Sequence, residues 1–107
     1  MKLETISAMR IEDKKLYKFE ITSGVQFVQS QIIKAAGLTN EDITVFELDM
    51  SLLAAALITY KIIEIKPEGY KDALSAAAEQ FTFAVFETGD TYEQIGPLAP
   101  AASLTEE

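Results

Sequence analysis

LYKFEITSGVQFVQSQIIKAAG, residues 16–37, changes its apolar period partway along. Tyr17, Phe19 and Ile21 alternate with Lys18 and Glu20, the period of a strand with one buried and one wet face. From Val25 onward the apolar positions are Val25, Val28, Ile32 and Ala36, the spacing of one helical face, and Phe27 and Ile33 widen the stripe. Ser23 followed by Gln26 fits a capping box and Gly37 suits a helix end, so a helix is predicted over about residues 24–36. A strand that feeds directly into an amphipathic helix puts both kinds of element into one small chain.

Upstream, Leu3 to Ile11 makes a weaker strand, and Glu12-Asp13-Lys14-Lys15 is a polar connection of hairpin length. An antiparallel N-terminal hairpin is predicted. Downstream, Ile43-Thr44-Val45-Phe46-Glu47-Leu48 is rich in β-branched and aromatic residues and reads as a short strand. The competing reading is a helix capped by Thr39 with Asp42 three residues on. Asp49 then caps an element running through Leu52, Leu53, Ala56, Leu57, Tyr60 and Ile63, all on one helical face. Ala54, Ala55 and Ile58 make most of the remaining circumference apolar, so this helix is expected at the centre of the domain or shared with a second chain. Its last turn, Ile62 to Ile65, reads equally as a strand.

Pro67 suits the first turn of another helix and Glu68 its positive end. That helix is predicted to reach Ala78, and the alternation of Phe81, Phe83 and Val85 marks residues 81–86 as helix or strand. Gly96, Pro97, Pro100 and the small residues around them are turn formers. The organisation expected is one globular domain over residues 1–95 with a loosely held C-terminal tail, 96–107. The fold class is α+β, an N-terminal hairpin packed with about three helices, and a mostly α arrangement is the alternative.

Composition narrows the function. A 107-residue chain is the size of one domain, and its 49% hydrophobic content is that of a globular protein. The longest apolar run, Leu52 to Ile58, is far short of the roughly 20 residues that cross a bilayer. Glu4 interrupts the opening residues where an export signal needs apolar ones, so a soluble cytoplasmic protein is expected. Cysteine and histidine are both absent, which removes thiolate chemistry and the side chain that titrates nearest neutrality. No glycine cluster forms a phosphate cradle. No catalytic residue, cofactor site or metal site is therefore expected.

The charge is uneven. Residues 1–37 carry six bases and four acids, whereas residues 38–107 carry three bases and thirteen acids, a net of −10. Lys14, Lys15 and Lys18 are too small a basic patch for direct nucleic-acid binding on a protein of net charge −8. The pairs Glu41-Asp42 and Glu47/Asp49 read as solvated acids, and Pro67 interrupts the apparent stripe Glu64, Glu68, Asp72. Tyr17, Tyr60 and Tyr70 fall in core stripes, while Tyr92 stands in the acidic stretch Glu87 to Glu93, where an exposed aromatic can anchor an interface.

A non-enzymatic protein that binds another protein, as adaptor, assembly chaperone or structural subunit, accounts for most of these features. The character, without a matching motif, is similar to that of small phage tail proteins and their chaperones. The partner-binding candidates are Leu53 and Leu57 on the apolar helix and Glu87, Asp90, Tyr92 and Glu93 in the acidic stretch. The expected partner is a basic protein or a second copy of the chain. Two alternatives stand beside this reading: an acidic inhibitor or immunity protein that blocks a basic toxin or nucleic-acid enzyme, and a small carboxylate-based enzyme.

Overall fold

The computed structural model describes residues 4–97 and the strand formed by residues 102–105. The hairpin forms where the alternation places it. β1 (Glu4–Arg10) pairs antiparallel with β2 (Leu16–Ile21), in register from Glu4 opposite Ile21 to Met9 opposite Leu16. Asp13 organises the connecting loop: its carboxylate accepts from the Arg10 guanidinium at 2.9 Å and from the Lys15 N–H at 3.1 Å. The guanidinium hydrogen bond holds the Asp13 carboxyl down at about 2.

α1 (Ser23–Ala35) follows β2 at once, and its cap is Thr22, not Ser23: Thr22 Oγ1 accepts from the Val25 N–H at 3.3 Å. The extended backbone of β2 continues through Thr22 (ψ 173°), which points the threonine hydroxyl at the open amides of the first turn. The helix ends as a Schellman motif, with Leu38 N–H donating to Ile33 O and Gly37 at φ 74°.

α2 (Val45–Thr59) decides the ambiguous stretch 43–48 for helix. Glu47 N–H donates to Thr44 Oγ1 and Thr44 N–H donates to Glu47 Oε1, each at 3.0 Å, a complete capping box. Thr39 and Asp42 instead close a separate turn, and Asp49 lies inside the helix rather than at its start. Residues 62–66 are neither helix nor strand. Pro67 opens a 3-10 turn, Pro67–Asp72, that leads into α3 (Ala73–Gln80), and the chain then changes period to give β3 (Phe81–Phe83). Glu64, Glu68 and Asp72 therefore share no helix face.

β3 pairs antiparallel with the free side of β1. β4 (Thr91–Ile95) pairs parallel with β2, and β5 (Ala102–Thr105) pairs antiparallel with β4, which gives the sheet order β3-β1-β2-β4-β5. Of the expected tail, residues 102–105 thus belong to the sheet, and residues 98–101 and 106–107 lie outside the described residues. An α+β domain with the hairpin packed on three helices is the observed architecture, not the mostly α alternative.

Ala8, Tyr17, Phe19, Ile21, Phe81 and Ile95 form the buried inner face of the sheet. α2 lies against it between α1 and α3, and Met50, Ser51 and residues 53–57 of α2 are buried, with Leu52 half-buried against the same core. Ser51 is accommodated there by donating to Leu48 O at 2.6 Å and accepting from Gln29 Nε2 at 3.2 Å. Tyr60 OH donates to Glu20 O at 2.7 Å and ties the end of α2 to the sheet.

Candidate interaction surface

Leu53 and Leu57 are fully buried in the domain's own core. The second half of α2 packs its apolar residues against the sheet, α1 and α3, so these two leucines are corrected from partner surface to core. Burying each contributes about 1.5–3 kcal/mol to folding.

The acidic stretch Glu87 to Glu93 is brought together, but largely in structural roles. Asp90 Oδ2 accepts from the Glu87 N–H at 2.7 Å and closes a turn in which Gly89 takes φ 94°. Glu93, in β4, pairs with Lys15 of the hairpin loop at 2.6 Å. Hydrogen bonding to Glu93 raises the Lys15 pKa. Tyr92 turns to the outer face of the sheet, where its ring lies 4.9 Å from that of Phe86 and the Lys18 ammonium sits 4.8 Å from its centroid. That contact places Phe86, in the connection from β3 to β4, on the outer face of the sheet beside Lys18 of β2 and Tyr92 of β4. Of the four residues, Glu87 alone stays exposed without a side-chain role among the described contacts.

Sequence reasoning missed a second surface. At the start of α2, Val45 is 76% and Phe46 is 60% exposed, ahead of the buried stretch that begins at Met50. Phe46 meets Phe83 of β3 edge to face, with ring centroids 6.0 Å apart and planes at 87°. Val85, two residues further on, is 93% exposed. The capping box explains the placement: once Thr44 and Glu47 fix the helix start, Val45 and Phe46 occupy its first turn, which overhangs the end of the sheet. Thr44-Val45-Phe46-Glu47 was the available signal, hidden by the β-branched and aromatic character that reads as a strand.

The sequence around the start of α2 is acidic. Glu41, Asp42, Glu47 and Asp49 flank Val45 and Phe46 in the chain, and no lysine or arginine occurs between Lys34 and Lys61. Two ion pairs form between described residues, Arg10–Asp13 and Lys15–Glu93, and neither takes up any of these four acids. Among the described residues no group of three or more potential ligands gathers as a metal site, and no helix is long and apolar enough to cross a membrane. Comparison with models of protein families, with curated proteins and with solved structures finds no match for the chain.

Proposed function

We propose that the protein is a non-enzymatic binding module that docks a basic protein partner. Val45 and Phe46 carry this reading: large apolar side chains held in solvent by a well-capped helix, in an acidic stretch of chain that forms no ion pair among the described residues. Aromatic side chains supply area at low entropic cost, and uncompensated acids accelerate encounter with a partner of opposite sign. An adaptor, an assembly chaperone and an inhibitor of a basic enzyme all fit that description.

The test is kinetic. With a partner identified by co-purification, association is measured at low and high salt for wild type and for Glu41→Lys/Asp49→Lys, two exposed acids outside the capping box and the Thr39–Asp42 hydrogen bond. The variant should associate more slowly at low salt, by about tenfold if steering is strong, and the gap should close as salt rises. Equal rates at low salt would reduce the acidic surface to ordinary solvation.

A further inference from the structure

We propose that the outer edge of β3, beside the first turn of α2, receives an extended segment of the partner in which apolar side chains are flanked by lysine or arginine. The inference rests on the binding role argued above and gives it a place and a ligand chemistry.

The main chain supplies the first reason. β3 is the last strand on its side of the sheet. Ala84 N–H donates inward to Ser7 O and Ile11 N–H donates to Gln80 O. Alternation along the strand then turns the N–H and C=O of Phe83 away from β1, to a side where no described strand pairs. Such an edge accepts an added strand by main-chain hydrogen bonds. Because β3 is only three residues long, those bonds are few, and side-chain contacts must provide most of the affinity.

Phe46 and Phe83 provide that contact. Their edge-to-face pair stands where an added strand would present its side chains, and Val45 extends the apolar surface along the helix turn. Charge then selects the occupant. Glu41, Asp42, Glu47 and Asp49 attract lysine or arginine on either side of the apolar residues. A second copy of the chain is the poorer fit, because two-fold pairing through one patch sets the same four acids of each copy against the other.

The experiment uses the isotope-labelled protein and short synthetic peptides with a valine–leucine centre, one flanked by lysines and one by glutamates. Titration of the lysine peptide should shift the amide resonances of Val45, Phe46 and Phe83 saturably, and the glutamate peptide should not. Phe46→Ser, at an exposed position, should keep the dispersed spectrum of a folded protein and weaken binding about tenfold, the loss expected of a central aromatic anchor. Glu41→Lys/Asp49→Lys should weaken it independently of any apolar loss. Shifts confined to residues 87–93 would overturn the β3 site while leaving the basic-partner reading standing. Absence of shifts with either peptide would overturn both. Equal binding of the glutamate peptide, or a doubled mass abolished by Phe46→Ser, would replace the basic segment with another occupant and end the proposal.

Discussion

Lys61 shows how a single residue can sit against its own preference. α2 ends in the same Schellman pattern as α1, with Ile62 N–H donating to Leu57 O at 2.8 Å, but the left-handed position is a lysine at φ 61° where α1 uses Gly37. A residue with a Cβ pays roughly 1–2 kcal/mol for that conformation, whereas glycine adds only about 0.5–1 kcal/mol of extra chain entropy on folding. The balance favours glycine, so Lys61→Gly is expected to stabilise the fold by about 0.5–1 kcal/mol. Denaturant unfolding checks this: the midpoint should rise at constant m-value. A lower midpoint would mean that the lysine makes a compensating contact.

At the scale of elements, legibility followed apolar contrast. The hairpin and α1 were visible because Tyr17-Lys18-Phe19-Glu20-Ile21 and Val25/Val28/Ile32 separate apolar from polar positions cleanly, whereas the nearly all-round apolar residues 52–58 fitted core and partner surface alike. β4 was invisible because Thr91-Tyr92-Glu93-Gln94-Ile95 carries polar groups on both faces, and its pairing with β2 is set by strands distant in sequence. The start of α2 stayed open between strand and helix because its local signal, a capping box, competed with a strand-like composition. The candidate surface was illegible for the same reason, since only the position of the helix start brings Phe46 to Phe83. Leu57 tests the central element. It is fully buried among α1, α3 and the sheet, so Leu57→Asp puts an unpaired charge in the core and should abolish cooperative unfolding. Retained near-UV signal with an unchanged melting midpoint would contradict that packing.

Across the whole molecule, seventeen acids face nine bases, and the excess is concentrated after residue 37. Two electrostatic effects oppose each other there. The ion pairs Arg10–Asp13 and Lys15–Glu93 favour the fold, and salt weakens them. Both are solvent-accessible pairs of the kind that contributes little. Repulsion among the excess acids acts over longer distances, disfavours the compact state, and is relieved as the Debye length falls from ~30 Å at 0.01 M salt to ~3 Å at 1 M. Relief should win. Adding sodium chloride is expected to raise the melting midpoint, and a gain of ~1 kcal/mol corresponds to ~4–8 °C for a domain of this size. Screening is largely complete once the Debye length is shorter than the spacing of surface charges, so the rise should level off, whereas exclusion of a kosmotropic salt strengthens burial steadily. Glu41→Lys/Asp49→Lys should start from a higher midpoint at low salt and show a flatter rise. A midpoint that falls with sodium chloride would show instead that the ion pairs outweigh the repulsion, and that the acids of the second half are neutralised by arrangements internal to the fold.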